Sequence, residues 1–194
     1  MSQSDVDLPL AKLYLTDLRT RMRGLKTLGE GAMQQLGDND WHTALAEEGN
    51  SAAVLVQHLS GNMHSRWAAL RSGYREGQDG ESAGRNRDAE FEERTLSAPE
   101  LWTLWNAGWA AFLDAIDHLS PADLMRPLTI RGEAHTVLEA CQRQVAHYSG
   151  HVYQLILLTK TLRGTGWQTL SVARGQSAAF NAAMFSKEER QKPT

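Results

Sequence analysis

The chain has 194 residues, 41% hydrophobic and 22% charged, with a formal net charge of −3, enough apolar mass for one domain with a buried core. This balance gives no electrostatic reason to bind nucleic acid, and no apolar run approaches the roughly 18 residues of a membrane span. The single cysteine, Cys141, excludes an intramolecular disulfide and a cysteine-rich zinc ribbon. The polar start Met1-Ser-Gln-Ser-Asp5 lacks a basic-then-apolar leader, so a cytoplasmic location is expected.

Helical periodicity begins over about 8–36, where Leu10, Leu13, Leu18, Met22, Leu25 and Leu28 mark the expected inner face. Basic residues from Arg19 to Lys26 interleave with it and read as a solvated side. Gly24, Gly29 and Gly31 weaken this helix, each by up to ~1 kcal/mol relative to Ala. The break Gly37-Asp-Asn-Asp40 and an irregular or extended stretch over 41–48 follow. Ser51 then stands where an N-cap would open a second helix over about 52–71, with Val54, Leu55, Leu59, Met63, Trp67 and Leu70 inside. The charged connection over about 72–96 has a length that often marks a binding loop. Its Arg75, Arg85, Arg87 and Arg94 are candidates for gripping a substrate carboxylate, although the ordinary fate of each is solvation.

Ser97-Ala-Pro-Glu100 is a capping box with proline in the first turn, and it predicts a third helix over about 98–118. Trp102, Trp105 and Trp109 form a stripe on it that reads as core or oligomer contact. The segment Pro127–Ala134 has weak strand character and reads as a small hairpin turning at Gly132. Thr136 caps a fourth helix over about 137–162, closed by Arg163-Gly164, with Cys141 in its apolar stripe. A short helix near 176–185 precedes a charged tail expected to fray after about 186. Four long amphipathic segments predict an all-α antiparallel four-helix bundle, a single domain over 1–194 with a small hairpin before the last long helix.

The strongest chemical signal is His147-Tyr-Ser-Gly-His151. Four helical residues rise about 6 Å and turn about 400°, so both imidazoles leave the same face, as two ligands of one metal must. His58 on the second helix is the candidate third ligand. Asn62 lies close to it in direction, whereas His64 faces away and reads as a surface residue. Gln144 and Gln154 flank the histidine pair on the fourth helix. His42, His118 and His135 fall in loops or at helix ends. Phosphate-loop and dinucleotide motifs are absent, and Tyr148 stands where a thermolysin-type motif places its glutamate. Paired Glu-x-x-His motifs of a di-iron bundle are absent as well.

Three stretches together, Asn50–Trp67 with His58, Asn62 and Arg66, then Arg85-Asn-Arg-Asp-Ala-Glu-Phe91, then Gln144–Gln154, resemble the DinB/YfiT-like superfamily. Within it the chain is more closely similar to one uncharacterised branch of metal-dependent proteins, over about 10–185. The resemblance implies an up-down-down-up four-helix bundle, commonly a homodimer, with one divalent metal per chain held by His58, His147 and His151. Some relatives are thiol transferases that use a low-molecular-weight thiol, and many have no assigned activity. Asn62, Arg66, Gln144 and Gln154 are then candidates for supporting the ligands or touching substrate. Zinc or nickel is the expected metal, with iron next, and imidazole ligands suit all three. The expected function is thiol S-transfer at the metal. The alternatives are a non-catalytic, metal-stabilised, stress-associated dimer and a metal-dependent hydrolase.

Overall fold

The computed structural model describes residues 8–71 and 85–191, apart from the side chains of 68–71 and 186–191. Arg75 and the side chain of Leu70 lie outside the described residues. Within them the chain is mostly helical: α1 (Leu8–Met33), α2 (Ala52–Arg71), α3 (Ala98–Asp117), α4 (Val137–Arg163) and α5 (Ser177–Gln191). An antiparallel hairpin of β1 (Pro127–Ile130) and β2 (Glu133–Thr136) precedes α4. No helix among the described residues is long and apolar enough to cross a membrane.

Local chemistry sets the element ends. Glu100 accepts from the Ser97 N–H at 2.8 Å and from its hydroxyl at 2.6 Å, closing the first turn of α3. Thr136 and Glu139 do the same for α4: Glu139 accepts the Thr136 N–H at 2.7 Å, and Thr136 Oγ1 accepts the Glu139 N–H at 3.2 Å. Since Thr136 also ends β2, the hairpin feeds directly into the helix that carries two of the candidate histidines. Its turn, Arg131-Gly132, has φ of 53° and 79°, the left-handed pair whose twist matches the flanking strands.

The closest packing joins α2 to α3 and α1 to α4, with lesser α1–α3 and α2–α4 faces, around one contiguous apolar core. Trp105 and Trp109 are buried in it, as the stripe on α3 predicts. Two glycines permit close approach. A Cβ on Gly108 would stand 2.8 Å from the Ser60 Cα, and one on Gly29 would stand 2.5 Å from the Trp105 ring. Gly29 thus interrupts α1 in propensity and seats a tryptophan in return.

Several expectations need correction. Leu10 and Leu13 are 62% and 64% exposed; the buried face of α1 runs instead through Ala11, Leu15, Leu18, Met22, Leu25 and Gly29. Carried back from Leu18 and Leu15, the helical period reaches Ala11, and the two leucines fall off it. The basic run of α1 is also more than a solvated side. Arg19 donates to the Ile116 and Leu119 carbonyls at 3.1 and 2.7 Å, at the negative end of α3. Beyond the expected 185, α5 continues to Gln191. From Ser51 to Trp67, α2 is buried all round except at Gly61 and His64, because the segment from Arg85 onward crosses its outer side.

Candidate metal centre

His58 comes from the buried middle of α2, and His147 and His151 come from successive turns of α4. His147 Nε2 lies 3.1 Å from His58 Nε2 and 3.1 Å from His151 Nε2. The three ligand nitrogens all fall within 4.8 Å of one another. Nitrogens bound about 2.0–2.1 Å from a single tetrahedral ion are separated by about 3.3 Å, so the rings already stand near ligand spacing.

The outer ring nitrogens decide where the protons sit. His58 Nδ1 lies 2.9 Å from Glu90 Oε2, and a carboxylate only accepts, so Nδ1 carries the hydrogen. His151 Nδ1 lies 2.9 Å from Gln154 Oε1, which places its hydrogen likewise. In neutral rings both Nε2 lone pairs then converge on His147 Nε2, where one N–H would have to divide between two acceptors. The Nδ1 of His147 is buried without a hydrogen-bond partner among the described residues. A cation between the three nitrogens satisfies every lone pair at once, and the donor set fits one.

Electrostatics point the same way. Burial, reinforced by His151 and His58, pushes His147 down to about 3. Burial also lowers His151, and only the Gln154 bond opposes it. Both rings are therefore neutral at pH 7 and ready to act as ligands without losing a proton.

Behind His58 stands a second layer. Arg85 clamps Glu90 with two bonds, Nε to Oε1 at 2.7 Å and Nη2 to Oε2 at 2.6 Å, with the arginine side chain 7% exposed. Burial acts to raise the Glu90 pKa, but its bonds to Arg85 and His58 outweigh burial and hold it below the usual carboxylate range. The Phe91 ring packs on His58 with centroids 4.4 Å apart, and the Arg87 guanidinium lies 4.8 Å from the Phe91 centroid. A histidine whose outer nitrogen is held by a carboxylate is a recurrent arrangement behind metals.

Gln154 reaches the cluster through His151. Asn62 instead accepts from the Tyr148 hydroxyl at 3.1 Å, and that hydroxyl accepts from the Trp67 indole at 2.9 Å. Gln144 is buried with its Oε1 unbonded among the described residues, and Arg66 is buried on α2. Among the described residues, Gln144 makes no hydrogen bond to the three histidines. Cys141 is buried, and burial pushes its thiol up to about 12, which leaves it a neutral core side chain. Glu90 and Phe91 escape sequence reasoning. Both fall in the Arg85–Phe91 stretch that carries part of the family resemblance, but a charge in an irregular segment does not announce which helix it will meet.

A helical scaffold presenting three inward imidazoles with metal-ligand spacing is the class that fold and site define. The chain belongs to the family described as protein of unknown function DUF1572, whose model matches residues 9–176, a span that includes all three histidines and Glu90. No curated protein matches the chain.

Proposed function

We propose that this is a DinB/YfiT-like metal-dependent protein that holds one divalent cation per chain through His58, His147 and His151 and uses it for thiol S-transfer. In this reading α1–α4 form the up-down-down-up bundle, the chain is a single domain working in the cytoplasm, and two copies pair. Leu10 and Leu13 on α1 and Tyr153 on α4 are exposed apolar side chains that a second copy would cover. The observation that carries the proposal is the convergence of three Nε2 atoms whose outer nitrogens at His58 and His151 are already tied. Zinc or nickel is the proposed metal, with iron next, since imidazole ligands suit all three.

Bound there, the metal would lower the pKa of a coordinated thiol or water toward neutrality. The chain's own part is to hold His147 and His151 neutral and to fix the tautomers of His58 and His151. Glu90 is the carboxylate bonded to the cluster, and it is engaged by both Arg85 and His58, so it is not placed as a free general base. Thiol transfer depends less than hydrolysis on such a base, which favours it.

The test is elemental analysis of wild type beside His58→Ala, His147→Ala and His151→Ala, followed by thiol-conjugation assays of metal-loaded protein. About one metal per chain, lost in each variant while helical circular dichroism persists, together with turnover lost in His147→Ala, supports the proposal. Metal-free wild type that takes up no zinc, nickel or iron overturns it. Full loading with no turnover across thiols and electrophiles replaces catalysis with a stabilising role for the metal, and ester or amide turnover without thiol replaces transfer with hydrolysis.

A further inference from the structure

An apolar groove lies one turn from the three histidines, displaced in the same direction on both helices that supply them. Leu55 precedes His58 by three residues on α2, while Gln154 and Leu158 follow His151 by three and seven on α4. At 1.5 Å per residue these offsets are about 4.5 Å and about 10 Å along the helix axes. Leu55, Gln154, Leu157 and Leu158 line this cavity of about 270 Å³ together with Leu45 and Ala46 from the stretch before α2. Leu45 and Leu157 remain 48% and 62% exposed, so apolar surface is left facing water beside the candidate metal centre. Gln154 belongs to both places: it lines the groove, and its Oε1 holds the His151 ring.

The lining has a definite chemical character. Among the described residues it contains no lysine or arginine, and its one ionisable side chain is Glu48, so an anionic group is disfavoured there. The volume lies just below the range of whole-ligand pockets, which suits a short tail better than a complete cofactor.

We propose that this groove binds the apolar tail of the molecule whose polar head sits at the histidine cluster. The substrate class is then an elongated small molecule with a metal-binding head and a short, uncharged, apolar tail. This rests on the metal reading above and adds to it the nature of the ligand.

The probes are straight-chain hydroxamic acids from acetyl to octanoyl, titrated into the full chain loaded with cobalt(II) and followed by the visible absorption of the metal. Each methylene that enters the groove should tighten binding about fourfold until the groove is full, after which affinity levels off. Leu157→Gln and Leu45→Gln should flatten that dependence while leaving the cobalt spectrum and acetohydroxamate affinity unchanged; both side chains are about half exposed or more, so the fold survives. Leu13→Gln, at an equally exposed position on α1, should leave the dependence intact. Cobalt and acetohydroxamate binding with no chain-length dependence overturns the groove alone, and so does a dependence that survives both groove variants. A Leu157→Gln protein that sediments differently with its dependence intact assigns that leucine to a contact between copies, and also overturns it. Failure to bind cobalt at all removes the metal reading and this inference together.

Discussion

Glu90 fixes the proton on His58 Nδ1, and with it the direction in which the His58 lone pair points. Glu90→Gln keeps the shape but removes the charge that both Arg85 and His58 use, so the ring loses its preference for the required tautomer. Metal affinity should fall about 10- to 100-fold, as it does when such supporting carboxylates are removed elsewhere. Competition against a chromogenic chelator measures this, and unchanged affinity would mean that the Glu90 bond does nothing for the site. His42 makes a separate case. Its Nδ1 lies 2.5 Å from Glu93 Oε1 and its Nε2 lies 2.9 Å from the Leu96 carbonyl, both acceptors, so the bonded ring carries both protons. The Glu93 bond raises its pKa, against a smaller opposing effect of burial. On unfolding, the ring returns to about 6.5 and gives up its proton first as pH rises. The stability it contributes is therefore complete below that value and is lost as pH rises through the raised folded value. Urea midpoints of wild type should fall, relative to His42→Gln, between pH 6 and pH 9, and parallel curves would dismiss the ion pair. Of these residues, the three histidines were legible because helical spacing is a local property. Glu90, His42 and Glu93 were not, because segments without a period carry no signal of what they will face.

At the scale of elements, two glycines should respond in opposite ways. Gly108→Ala drives a Cβ to 2.8 Å from the Ser60 backbone, where no flexible side chain can yield, so α2 and α3 must move apart. Overpacking costs about 1–3 kcal/mol, and the helix-propensity gain of about 1 kcal/mol offsets only part of it. Gly24→Ala meets nothing within 4 Å and should keep that gain in full. Denaturant unfolding of the pair reads both signs, and equal shifts would mean the α2–α3 approach is looser than described. The contrast shows where sequence reading stops. The starts of α2, α3 and α4 were readable from Ser51, Ser97 and Thr136, because capping happens within one turn. The inner face of α1 was misread at Leu10 and Leu13, and the all-round burial of α2 was not foreseen. The first came from following leucines off the helical period that runs through Ala11, Leu15 and Leu18, and the second depends on which other elements lie alongside, which hydrophobicity alone does not specify.

Across the whole molecule, the candidate centre joins two helices that otherwise share one of the lesser interfaces, through residues 89 apart in sequence. An ion that binds the folded chain and not the unfolded one stabilises it by mass action, about 2.7 kcal/mol at a hundredfold excess over its dissociation constant. For a chain of this size each kcal/mol moves the melting temperature by about 2–4 °C, so metal should raise it by roughly 5–10 °C. The increment must vanish in His147→Ala, because His147 Nε2 is the atom on which the other two nitrogens converge. Glu90→Gln should keep part of it, since the three ligands remain and only the orientation of one is weakened. Melting curves with zinc and with chelator, recorded for wild type and both variants, give three increments whose order is fixed in advance: full, partial and none. An equal increment in all three would place the bound ion elsewhere, and the convergence of the histidines would then be only the packing of neutral rings between α2 and α4.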